Sequence, residues 1–133
     1  MESKGEAIIR HLLEREHYKF KQEVSFPDLK GFKNSVLRFD FKIDHPALGP
    51  CLVEFQGVQH YEYNQHFSKS KQKWRYAQQM DIRKASYCLL HKIPLFIIPY
   101  TDIGELKEAS DIFQKKYRVK NKNHTMLNKP SKN

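Results

Sequence analysis

The chain has 133 residues, 39% hydrophobic and 29% charged, with 24 Lys and Arg against 15 Asp and Glu for a formal charge of +9. Such a length suits one domain with a modest core, and such a charge favours a polyanionic partner, nucleic acid first and an anionic membrane surface second. No apolar run approaches the roughly 20 residues of a bilayer span, the first residues lead into an amphipathic segment rather than a signal peptide, and the solitary Cys51 and Cys88 read as small core residues with no CxxC to suggest zinc.

Residues 3–17 read as a helix, capped by Ser3, with Glu6 completing a capping box and Ile9, Leu12 and Leu13 at helical spacing. Residues 18–26 read as a strand that stops at Pro27, followed by a basic loop over 28–34. Residues 36–44 alternate with period two, which puts Leu37, Phe39, Phe41 and Ile43 on one face and Arg38, Asp40 and Lys42 on the other. His45 to Pro50 is a turn. Residues 51–56 form the next strand, with Cys51, Val53 and Phe55 on one face and Leu52, Glu54 and Gln56 on the other, ending at Gly57. After a polar segment over 61–70, residues 71–92 read as a long helix with a stripe of Trp74, Ala77, Ala85, Cys88 and Leu89. The continuous apolar run over 94–100 reads as a buried central strand reached by a crossover. Asp102 is expected to cap a last helix through Tyr117. Residues 118–133 carry Lys120, Lys122, Lys129 and Lys132 without an acid and read as a basic tail. The division is therefore 1–117 as one domain and 118–133 as its tail, with an α/β (α+β) mixed sheet flanked by helices.

Asp40 and Glu54 on adjacent strands are the chemical signal. Carboxylates gathered on a sheet repel one another and lose hydration unless a cation stands between them. Mg²⁺ often takes one or two protein carboxylates, with water and substrate phosphate filling the rest. Gln56 lies about 6.8 Å beyond Glu54 at ~3.4 Å per residue, where its amide can orient water or meet a phosphate. Alternation alone allows a polar sheet surface with salt bridges from Arg38 and Lys42 equally well. Gly57 permits a turn that brings His60 back beside the acids as general base or donor; taken alone, His60 is an ordinary surface histidine. His66 would fit a zinc-using alternative, but paired ligands at the proper spacing are missing. Lys84 either pairs with Asp81 on the helix surface or reaches the acids. Glu6 is explained by capping and is equally placed to complete a metal shell.

The succession Glu6, Arg38-Phe39-Asp40-Phe41, Val53-Glu54-Phe55-Gln56-Gly57-Val58-Gln59-His60-Tyr61, Asp81, Lys84, Cys88 and Ile93 to Tyr100 resembles the PD-(D/E)XK nuclease superfamily. Its closest likeness is to the phage, homing and very-short-patch-repair-like endonucleases, over roughly residues 3–100. The resemblance implies a restriction-endonuclease-like αβββαβ core, here with a C-terminal helix, and Mg²⁺-dependent cleavage of DNA phosphodiesters, with Mn²⁺ able to substitute. Asp40 and Glu54 match the metal-binding acids and Glu6 the helix-borne acid of several branches. Gln56 stands where most members carry Lys, as it does in some restriction enzymes, and Phe39 where the name-giving Pro would be. Gln59 and His60 fit the phage-type block. The implied protein is cytoplasmic, in a bacterial cell or encoded by its phage, with DNA as partner and no membrane. A monomer that nicks and a homodimer that cuts both strands remain open.

Lys30, Lys33, Arg38, Lys69, Lys71, Lys73 and Arg75 flank the expected centre and suit backbone phosphates. Tyr61, Tyr63, Phe67 and Trp74 interleave with them and could stack on bases, although Trp74 reads better as core. Two other classes remain: a DNA-binding accessory protein that keeps the fold without catalysis, which Gln56 in place of Lys keeps open, and a basic protein that binds RNA or acidic protein.

Overall fold

Ser3 starts the first helix as expected. Its hydroxyl accepts the Glu6 N–H at 3.1 Å, and the Glu6 carboxylate accepts the Ser3 N–H at 2.9 Å. These two bonds satisfy orphan donors at the start of α1 (Lys4–Arg15). The computed structural model describes residues 2–57 and 71–115. Gln59, His60, Lys69, the expected contact segment over 61–70 and the tail over 118–133 lie outside the described residues.

After α1 come β1 (Lys19–Lys30), β2 (Val36–His45), β3 (Gly49–Gln56), α2 (Lys71–Leu90) and β4 (Leu95–Pro99). They build a mixed four-stranded sheet in the order β1-β2-β3-β4. The first two pairings are antiparallel and β3 pairs parallel with β4, which requires the crossover that α2 supplies. Gly49, at φ 76, closes the β2–β3 turn, and His45 Nδ1 accepts the N–H groups of Ala47 and Leu48 there. Among the described residues no helix is long and apolar enough to cross a membrane.

Two apolar layers cover the sheet. Ile9, Leu12 and Leu13 of α1 pack with Phe41, Ile43, Cys51, Val53, Phe96 and Ile98. Met80, Ala85 and Cys88 of α2 pack with Leu29, Leu37, Phe39, Leu52 and Leu95. The expected common face of Leu37, Phe39, Phe41 and Ile43 is thus corrected: the first two turn toward α2 and the last two toward α1. Between the paired residues Gln22↔Phe41 and Val24↔Phe39 stands Glu23, at φ 54. A left-handed residue inside a strand twists it and re-aims its side chains. The change of face in β2 coincides with this point, and Asp40 sits on it.

Four other expectations change. β1 runs through Pro27 to Lys30, because it is the outer strand and the missing N–H of Pro27 costs an edge little; the β1–β2 register also shifts between Ser25 and Lys30. β4 is the last strand of the sheet rather than a central one, and its apolar run reflects helices or turns over both faces, since Leu95 and Phe96 enter opposite layers. The helix expected after Asp102 is replaced by two short 3₁₀ turns, Ile103–Glu105 and Ala109–Gln114. Asp102 makes no side-chain cap there; its carboxylate meets Lys115 Nζ at 3.1 Å. Leu89 is exposed and Trp74 half-buried, while Met80 takes the core position.

Candidate active site

The β2–β3 ladder pairs Phe41 with Val53 as its last partners toward the Asp40 end. One residue beyond, the strands no longer pair through their backbones. The Phe55 N–H instead donates to Asp40 Oδ2 at 2.8 Å. A side chain thus takes over a ladder bond at the fork, which holds the Asp40 carboxylate between the strands. Glu54, next to Phe55, faces the α2 side with Leu52. Its Oε2 accepts from Lys84 Nζ at 2.6 Å. Both side chains of that ion pair are nearly enclosed, with 13% of Lys84 and 10% of Glu54 exposed. The Lys84 ammonium also lies 5.0 Å from the centre of the Phe39 ring, a cation–π contact.

The first turn of α1 reaches the same place because Gly5 lies against the Phe55 ring, where an added Cβ would come within 2.5 Å of the ring carbons. Glu6 follows directly and approaches Asp40. Ser3, Glu6, Arg38, Asp40, Glu54, Phe55, Gly57 and Lys84 line one cleft of about 290 Å³. Burial, and then the charge of Glu54, push the Asp40 carboxyl up to about 8. The Phe55 N–H pulls the other way, and the hydrogen bond and charge of Glu6 add to the rise.

The structure brings Glu6, Asp40, Glu54, Lys84 and Arg38 together. Gln56 is not among the cleft's described lining residues, although it lies on β3 two residues beyond Glu54; its carbonyl accepts the Tyr100 N–H at 2.8 Å. Arg38 is exposed at the cleft. Lys71, Lys73 and Arg75 are exposed on the first turns of α2, and Lys30 and Lys33 on the β1–β2 connection. Lys84 was ambiguous in the sequence because Asp81 offered a partner on its own helix, and only the packing of α2 on the sheet brings it to Glu54.

The donor set suits a hard divalent cation. Asp40 and Glu54 are two oxygen-ligand side chains in a cleft, each oriented through one named oxygen, and a carboxylate accepts at more than one site. The rise at Asp40 follows first from its burial and then from the nearby charge of Glu54. Among the described residues no group of three or more His, Cys, Asp and Glu side chains stands ready to hold a metal. Glu6 lines the same cleft as Asp40 and Glu54, and Mg²⁺ commonly takes only one or two protein carboxylates with water filling the rest.

No family model matches the chain, and no solved structure matches it. The chain is similar to the uncharacterized protein 307L of Invertebrate iridescent virus 6, at 31% identity over 113 residues. The match covers 75% of this chain and 57% of that protein, so the chain spans little more than half the length of this relative.

Proposed function

We propose that this chain is a metal-dependent DNA endonuclease with a restriction-endonuclease-like core, hydrolysing phosphodiester bonds at the β2–β3 fork. The observation that carries the reading is the convergence of Asp40 and Glu54 with Lys84 in one cleft. Mg²⁺ or Mn²⁺ is the proposed cofactor, held by Asp40 and Glu54, and it would supply Lewis acidity toward the phosphodiester.

The chain's own groups have distinct tasks. Phe55 N–H fixes Asp40, so that this acid does not swing away from β3. Lys84 fixes Glu54 and brings a positive charge to the place where phosphate negative charge increases during hydrolysis. In this reading Lys84 performs on α2 the cationic task for which Gln56, on β3, has no charge. Arg38 at the cleft and the exposed Lys30, Lys33, Lys71, Lys73 and Arg75 would grip the backbone without naming bases. Element order supports the same reading, since α1, three strands, α2 and a parallel strand follow the expected αβββαβ succession.

The test is cleavage of supercoiled, linear and four-way-junction DNA with Mg²⁺, Mn²⁺ or EDTA. Asp40→Ala and Glu54→Ala are expected to abolish cleavage while leaving DNA binding largely intact. Cleavage by Glu54→Ala at the wild-type rate would remove the site assignment. Binding without cleavage by the wild-type protein would favour the accessory-protein reading.

A further inference from the structure

The connection between β1 and β2 holds an aromatic ring away from the sheet. The Ser35 N–H donates to Phe32 O at 3.1 Å, and the Gly31 N–H donates to Ser35 O at 2.8 Å. Lys33 and Asn34, between them, both stand at positive φ, 56 and 60. This is the pattern that tight hairpins usually make with Asn-Gly, because a side chain in the left-handed region is strained. Phe32 itself is 44% exposed.

A single exposed Phe is ordinary on a protein surface; here the ring is also braced. The Arg83 guanidinium lies 4.8 Å from its centre, and the Tyr76 ring 5.2 Å away at 52°. Tyr76 OH and Ser35 Oγ hydrogen-bond at 3.3 Å, tying the turn to α2. Beneath it, a Cβ on Gly31 would come within 2.5 Å of Ser35 Oγ and 2.8 Å of Met80 Sδ. A strained turn is thus packed closely onto α2, with its aromatic ring partly exposed beside Arg83 and with exposed Lys30 and Lys33 close by in the chain.

That combination fits a nucleobase, which has an apolar face and belongs to a polyanion. A second copy of this chain carries the same +9 charge and is opposed by it. We infer that Phe32 is a stacking platform for an unpaired base of the strand held in the cleft; the strand's position rests on the nuclease reading. β2 leads from Val36 beside the turn to Asp40, four residues or ~14 Å at ~3.4 Å per residue. Stacked nucleotides advance by about 3.4 Å along a strand, which sets the platform roughly four to six nucleotides from the scissile phosphate. Stacking accepts every base, so Phe32 selects for exposed bases rather than for sequence.

The experiment titrates the full chain, without divalent metal, into fully paired duplex and into the same duplex carrying a short unpaired loop with 2-aminopurine. Wild-type protein is expected to prefer the looped DNA and to quench the fluorophore. Phe32→Ala should lower affinity for the looped DNA about ten-fold or more, with little change on paired duplex, and should lose the quenching. Phe32→Trp should keep both, whereas Phe32→Leu, apolar without a π face, should behave like Ala. Thermal melts establish that each variant folds. The platform is overturned by any of four results: no wild-type preference, quenching that survives Phe32→Ala, equal losses on both DNAs, or altered sedimentation of the DNA-free variant, which would mark a contact between copies. Metal-dependent cleavage of the same DNAs is scored in parallel. Quenching without cleavage removes the nuclease and keeps the platform; cleavage with quenching unaffected by Phe32→Ala removes the platform alone.

Discussion

Lys84 and Glu54 hold each other in a place where neither tolerates being alone. Removing one member of a nearly buried ion pair leaves an uncompensated charge, which costs about 3–5 kcal/mol. Lys84→Met should therefore lower stability in EDTA by about that amount, because Glu54 then faces Asp40 without its ammonium. Mg²⁺ should restore more stability to Lys84→Met than it adds to the wild type, since the ion replaces a cation the variant lacks; urea titrations with and without Mg²⁺ measure both effects. Asp40 governs a second dependence. Its carboxyl is pushed up to about 8 from an ordinary 3.8, with burial the largest cause and Glu54 the next. Between those values the metal-free folded state binds the proton more than the unfolded chain does. Asp40's stabilising contribution is thus fully present below about 3.8 and is lost as pH rises through about 8. Asp40→Asn should flatten this descent between pH 5 and pH 8.5 in EDTA. An identical pH profile for the two proteins would contradict the burial of Asp40 beside Glu54.

The elements carrying these groups were legible in the sequence to different degrees. The capping box of α1 was readable because Ser3 and Glu6 act locally. The β3 faces were readable because β3 is regular. The β2 faces were not, because alternation assumes one uniform twist and the left-handed Glu23 lies on the neighbouring strand. Pro27 read as a stop because the sequence does not announce that β1 is an edge. The β1–β2 turn read as a basic loop because Lys33-Asn34 lacks the glycine that marks such turns. Gly5 also passed unmarked, since its meaning depends on Phe55, 50 positions away. Gly5→Val should force α1 and the Phe55 ring apart, costing about 1–3 kcal/mol by overpacking. Because Glu6 and Ser3 move with that turn, cleavage should also demand more Mg²⁺, a shift that a Mg²⁺ titration of rate reads separately from the loss seen in a melt. A destabilised variant with an unchanged Mg²⁺ requirement would show that the first turn of α1 does not shape the proposed metal site.

Across the full chain, charge and chemistry are divided. The acids proposed for hydrolysis are gathered at the fork, where Arg38 also lies, while Lys30, Lys33, Lys71, Lys73 and Arg75 are exposed. The acid pair was legible as two acids on neighbouring strands, although Asp40 is placed by its bond to the Phe55 N–H at the break in β2 rather than by regular alternation; the arrangement of the basic residues was not, because solvated lysines carry no periodic signal. If these residues contact phosphates, each releases condensed counterions when DNA binds, and the logarithm of affinity falls with the logarithm of salt by about 0.9 per contact on duplex DNA. Lys71→Gln with Lys73→Gln should then reduce the slope by about 2 and weaken binding to all duplex sequences alike. The same pair should leave thermal stability nearly unchanged, since both side chains are exposed on the first turn of α2. Fluorescence anisotropy over a range of salt concentrations gives the slope directly. A weaker complex with an unchanged slope would mean that the two lysines act through the shape of the protein rather than through contact with the backbone, and the DNA path past the start of α2 would have to be abandoned while the acids at the fork kept their proposed role.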